Sequence, residues 1–150
     1  MPADWKAKLD RIVSQQAREV AALRRHLHAH PEPSGEELQT SLHLYQLLGK
    51  LGLEVLMGPE GCGVVVDSGL PAAEEDQPAP TRIALRGDID ALRIQDEKQV
   101  EYCSKNEGVM HACGHDAHTA IIYGVVLALV ELERSGAMPW PIAWRAIFQP

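Results

Sequence analysis

Met110-His111-Ala112-Cys113-Gly114-His115-Asp116-Ala117-His118 brings a thiol, three imidazoles and a carboxylate together directly ahead of a long apolar run. Cys113 and His115 flank a glycine. In extended backbone, residues two apart project to the same side, so a thiolate and an imidazole can converge on one cation at the roughly 2.0–2.3 Å such ligands require. Gly114 lets the chain bend sharply between them. A helix should follow, because Ala117, Ala120, Ile121, Gly124, Val125, Ala128, Leu129 and Leu132 recur at helical spacing. Asp116 is the expected N-cap, with His118 in the first turn beside the site. A lone cysteine is usually a small buried hydrophobe, but this density of soft and borderline donors around one glycine favours a metal site. Two donors do not fill a coordination shell, so the rest must come from elsewhere.

Upstream, Ile83-Ala84-Leu85 reads as a short buried strand running into Arg86-Gly87-Asp88-Ile89-Asp90. Asp88 and Asp90 project to the same side if the backbone stays extended. The competing reading is that they satisfy loop amides. Residues 95–108 are polar and form the loop that delivers the metal stretch. Such a strand, loop and helix junction is where α/β proteins usually bind ligands. Downstream, Ser135-Gly136 should end the helix, and residues 142–148 form a further strand.

The N-terminal part reads as two helices and a hairpin. Trp5, Leu9, Ile12, Val13, Ala17, Val20, Leu23 and Leu27 step by three and four, predicting an amphipathic helix over about 4–29 that stops before Pro31. Its end, Arg24 to Glu32, holds His26, His28 and His30. His26 and His30 have the spacing of a shared metal, but no glutamate follows the first as a zincin helix requires, so these groups are expected to cap and brace the helix end. Ser34 and Glu37 suggest a capping box. The helix it opens has an expected apolar face of Leu38, Leu42, Tyr45 and Leu48, and a stop at Gly52. Residues 53–57 and 62–67 then form strands around Gly58-Pro59-Glu60-Gly61, and 69–81, rich in proline and acid, form a surface loop.

Composition narrows the function classes. A chain of 150 residues, 45% apolar, fits one ordinary domain. A net charge of −7 offers no basic face for phosphates, which argues against nucleic acid. No uninterrupted apolar run approaches the roughly 18 residues of a membrane span, and Met1 to Leu9 lacks the apolar core of a secretory signal. Three cysteines do not suggest a disulfide framework. A cytoplasmic setting is the expectation.

Four separated stretches resemble one family, the metal-dependent amidohydrolases that include bacterial N-acyl-amino-acid amidohydrolases, hippurate hydrolases and plant auxin-conjugate hydrolases. They are Arg25, Leu27, His28, Pro31 and Glu32; Ala84-Leu85-Arg86 with Asp88 and Asp90-Ala91-Leu92; Gly108 to Asp116 with His118; and Phe148-Gln149-Pro150. The third is the most specific. The resemblance implies an α/β fold, a three-layer α/β/α catalytic domain interrupted by a smaller lid domain, which hydrolyses the amide of an N-acylated amino acid with two divalent ions. Zn²⁺ or Mn²⁺ is expected, with Co²⁺ and Ni²⁺ as further candidates. It implies Cys113 and His115 as metal ligands, Cys113 as the bridge, and Asp88, Asp90, Asp116 and His118 in supporting positions.

The family usually carries Ala at the place of Gly87 and Pro at that of Arg93. After a Gln-Pro like Gln149-Pro150 it continues with the catalytic glutamate and further ligands, so residues 1–150 correspond to the N-terminal portion of the catalytic domain, incomplete at the C-terminus and without the lid and dimerisation domain. On this reading the chain alone binds metal weakly and is nearly inactive, the last strand's edge is exposed, and the complete enzyme is a homo-oligomer acting on a small molecule, with no nucleic acid or membrane partner. The competing functions are a metal- or redox-sensing module using Cys113 and His115, and the non-catalytic half of a split enzyme.

Overall fold

The computed structural model describes residues 4–68, 82–140 and 142–150. The expected loop over 69–81 lies outside the described residues. Three helices and four strands are ordered along the chain as α1 (Trp5–Ala29), α2 (Leu38–Gly49), β1 (Val55–Met57), β2 (Val64–Asp67), β3 (Arg82–Asp88), α3 (His115–Arg134) and β4 (Ala143–Gln149). A 3-10 turn at Pro59–Gly61 joins β1 to β2.

The sheet order is β1-β2-β4-β3, with β2 antiparallel to both β1 and β4 and β3 parallel to β4. Strands β3 and β4 with the intervening α3 therefore make a βαβ unit, the connection a parallel pair needs. Alternation along the strands turns Val64, Val66, Trp144, Ala146 and Phe148 into one core with Leu23 and Leu27 of α1, Leu44 and Leu48 of α2, and Tyr123, Val126 and Val130 of α3. Burial of each large apolar side chain there contributes about 1.5–3 kcal/mol. The other sheet face, with Val65, Arg145 and Ile147, is only half-buried. Among the described residues the α/β fold thus has two of the three expected layers.

Several local expectations change. Leu38, Leu42 and Tyr45 are exposed, and α2 instead buries Thr40, Ser41, Leu44 and Leu48. The small Ser41 permits that contact by accepting the Gly63 N–H at 2.8 Å while donating to the Glu37 carbonyl at 2.5 Å. Helix α2 starts after Glu37, with no side-chain cap from Ser34 or Glu37. The Glu32 carboxylate accepts from the Gln39 and Thr40 N–H groups at 3.1 and 2.6 Å in place of a capping box. Strand β3 is not buried: it is an edge strand among the described residues, with Ile83 55% exposed. Strand β4, expected to expose an edge, is paired on both sides.

Helix α3 has the length and apolar content of a membrane span, contrary to the reading by uninterrupted runs, yet half of it is buried inside the fold as in a core helix. Of the face predicted for α1, Ile12, Leu23 and Leu27 are buried. Leu9, Val13 and Val20 line an apolar groove of about 890 Å³ between α1 and α3.

Candidate metal centre

The site forms where the loop after β3 meets the start of α3. Main-chain pairing sets this approach: Leu92 and Met110 exchange N–H···O bonds of 3.0 and 2.9 Å, drawing residues 110–118 against residues 88–92. The Ala91 N–H bonds the Glu32 carbonyl at 2.8 Å, bringing in the link between α1 and α2. Inside the sheet side, Gly87 permits close contact, since an added Cβ would lie 3.1 Å from Ile122 Cγ1 and 3.3 Å from the His118 backbone.

Helix α3 is N-capped by Gly114, whose φ of 84° is a left-handed conformation that glycine adopts without strain. Asp116 is therefore not the N-cap. It stands in the first turn, fully buried, and its Oδ1 accepts the Ala117 N–H at 2.9 Å. The physical reason is a stronger partner elsewhere: Oδ2 accepts from His28 Nδ1 at 2.6 Å and pairs with Arg24 Nε at 3.0 Å, both from α1.

His115 is fixed on the opposite side. Its Nδ1 donates to Asp90 Oδ1 at 2.7 Å, with the Asp90 carbonyl at 3.1 Å. A carboxylate on Nδ1 sets the tautomer and leaves Nε2 as the nitrogen able to meet a cation, the arrangement that metal-binding histidines use. Cys113 is an exposed free thiol. Imidazole and thiol donors of this kind suit a divalent transition metal. Among the described residues no three His, Cys, Asp or Glu side chains are grouped so as to enclose a cation by themselves.

The supporting residues separate. Asp90 orients His115 directly. Asp88 pairs with Arg86 at 2.8 Å, and its carbonyl accepts Thr119 Oγ1 at 2.9 Å. The His118 ring lies 5.7 Å from that of His115.

Behind the site lies a polar group that the sequence does not reveal. His28 is 2% exposed, with Nε2 3.7 Å from Asp96 Oδ2. Asp96 accepts the Ser104 N–H at 2.9 Å and pairs with Lys98 Nζ at 2.9 Å, which hold its carboxyl down at about 2. His111 is buried with both ring nitrogens unpartnered, and burial above all pushes its pKa down to about 4. In the sequence, His28 and Asp116 stand out through the family resemblance, and Arg24 and His28 lie one turn apart on one helix face. Their partner is 88 residues away for His28.

His26 and His30 do brace the helix end as expected: His30 Nδ1 bonds the His26 carbonyl at 2.9 Å, and the His26 ring stacks on His43 at 4.1 Å.

Fold and site define a class, an α/β domain with imidazole and thiol donors at a strand-to-helix junction. Residues 84–150 match peptidase family M20/M25/M40. The chain is 41% identical over 128 residues to an N-acyl-L-amino acid amidohydrolase of Geobacillus stearothermophilus, covering 85% of this chain and 33% of the relative. It is 40% identical over 123 residues to an N-acetyl-L-cysteine deacetylase of Bacillus subtilis, covering 82% and 28%. Its fold superposes on the crystal structure of a dinuclear metal-binding peptidase of the M20 family from Bacillus subtilis with a TM-score of 0.75 and 36% identity, covering 91% of this chain and 36% of that one. The chain belongs to this family of metallopeptidases and amidohydrolases. It spans about a quarter to a third of the length of these curated relatives.

Proposed function

We propose that the protein takes part in divalent-metal-dependent hydrolysis of the amide bond of N-acyl amino acids, with Cys113 and His115 as two of the metal ligands. The observation that carries this is the His115 imidazole fixed through Nδ1 on Asp90 at 2.7 Å, one glycine away from the exposed Cys113 thiol. The names of the relatives, amidohydrolase and deacetylase, support the bond type and the small acylated substrate.

A divalent ion bound there supplies Lewis acidity toward the scissile carbonyl and a water. The chain's own residues do the rest. Asp90 holds the ring of His115. The Asp116 carboxylate is saturated by His28, Arg24 and the Ala117 amide, so it anchors rather than exchanges protons. Asp88 faces Arg86. Asp90 and Asp116 are committed to neighbouring side chains, and general-base work is proposed to fall to a carboxylate outside this set. With two donors assigned, residues 1–150 alone are proposed to hold metal weakly and turn over slowly. Zn²⁺ or Mn²⁺ is the ion proposed, and Co²⁺ or Ni²⁺ fits the same donors. A reducing, cytoplasmic setting belongs to the same proposal, supported by free Cys62, Cys103 and Cys113.

The test is calorimetric titration with Zn²⁺ and Mn²⁺ beside an assay of amine release from N-acetyl and N-benzoyl amino acids. Slow, cation-dependent release that a chelator abolishes is expected. Release that survives chelation, or that His115→Ala leaves unchanged, contradicts the reading.

A further inference from the structure

His28 stands in the last turn of α1, and its ring has two unlike ends. Nδ1 donates to Asp116 Oδ2 at 2.6 Å, while Nε2 makes no hydrogen bond and points toward Asp96 only at 3.7 Å. Arg24, one turn earlier, reaches the same Asp116 oxygen at 3.0 Å. Asp116 is fully buried and satisfied through both oxygens, and two of its three partners come from α1.

A buried pair of this kind could serve stability alone. Two features give it a direction. Helix α3 starts after Gly114 with no side-chain cap, so nothing at the N-cap itself fixes where its first turn sits. Asp116 also follows His115 directly, and the His115 ring is held from the other side by Asp90. One peptide unit therefore separates a carboxylate anchored to α1 from an imidazole anchored to the loop after β3. The dipeptide is clamped between two elements, and its α1 anchors are the hydrogen on His28 Nδ1, the shorter contact and the buried one, and the partly exposed Arg24 Nε.

We propose that His28 is a positioning residue for His115, acting through Asp116: its Nδ1 donor sets the start of α3 and so the place of the imidazole. The consequence for metal binding rests on the function proposed above; the positioning itself does not.

Three variants separate this from packing. His28→Asn puts an amide N–H where Nδ1 donates, though it is the smaller side chain. His28→Gln puts its amide on the Nε2 side, and His28→Leu fills volume without a donor. Two readouts use the metal-free chain: hydrogen exchange at the Ala117 and His118 amides, and the NMR resonance of the His115 ring N–H bonded to Asp90. A third is Co²⁺ titration followed through thiolate-to-cobalt absorption.

The Asn variant should keep the parent exchange rates, resonance and Co²⁺ affinity. Gln and Leu should speed exchange by about tenfold, as loss of one charge-assisted bond predicts, shift the His115 resonance, and weaken Co²⁺ binding about 10–100-fold. A ranking by volume, with Gln or Leu matching or exceeding Asn, overturns the proposal, as do three variants that all behave like the parent. The contrast of Asn with Gln decides even if the Leu variant fails to fold. If the parent shows no thiolate–cobalt band, the metal reading fails, while exchange and the His115 resonance still judge the positioning.

Discussion

The seven histidines of this chain fall into two groups with opposite surroundings. His26, His30 and His43 stack at the seam between α1 and α2, where the charged neighbours acting on them are Lys105 and Lys50. His28, His111, His115 and His118 gather at the start of α3 among Asp90, Asp96 and Asp116. The same ring is a surface filler in the first group and, at His28 and His115, a held donor in the second. A carboxylate on one ring nitrogen fixes the tautomer and aims the other nitrogen, and among the described residues carboxylates meet histidine rings only in the second group. The chemistry follows the aspartates.

That contrast can be broken most forcefully at Asp116. Asp116→Ala strips His28 and Arg24 of their shared partner and should cost about 3–5 kcal/mol, as breaking a buried charged pair does; the urea midpoint measures it. A loss below that of an exposed substitution would mean the two groups differ less than their geometry says.

A smaller effect is expected at Glu32, which caps α2 between the two groups. Glu32→Ala leaves the Gln39 and Thr40 amides unpaired and should cost about 1 kcal/mol, read from the same titration. An unchanged midpoint would show that solvent replaces the carboxylate without loss.

The smallest effect is a slope. Burial first, and then neighbouring cationic groups, lower the pKa of His26 and His43 below the ordinary value of 6.5. The unfolded chain then binds more protons than the folded one, so this contribution is complete above the unfolded pKa and is lost as pH falls below it. His43→Gln should flatten the fall in stability on the acid side of pH 6.5 and leave the value at pH 8 nearly unchanged. An identical acid slope in parent and variant contradicts this account of the seam.

The sequence made the long elements plain because their signals are redundant. Helix α1 has eight periodic apolar positions and a proline just past its end, and α3 has a similar run closed by Ser135-Gly136. The hairpin of β1 and β2 was marked by its glycines and proline. Helix α2 departs from its expected face because Leu38, Leu42, Leu44, Tyr45, Leu47 and Leu48 cover more than one side, and a Ser41 contact with Gly63 goes with the side that is buried. At the site, the motif pointed to Cys113 and His115, and the resemblance placed Asp90 in a supporting position, where it meets His115 Nδ1. What could not be read was how His26, His28 and His30 divide. Residues two apart on a helix do not share a face, whereas those four apart do, so His28 turns inward to Asp116 while its neighbours stack outside. The burial of Asp116 likewise depends on a partner 88 residues distant.

The claim on which the account stands is that Cys113 and His115 grip one cation. Titration of the chain with Co²⁺, followed through its thiolate-to-metal absorption, should give a band that disappears in Cys113→Ala and collapses in His115→Ala, with Asp90→Asn weakening the binding about 10–100-fold. A parent chain without the band, or a band that His115→Ala leaves intact, would contradict it.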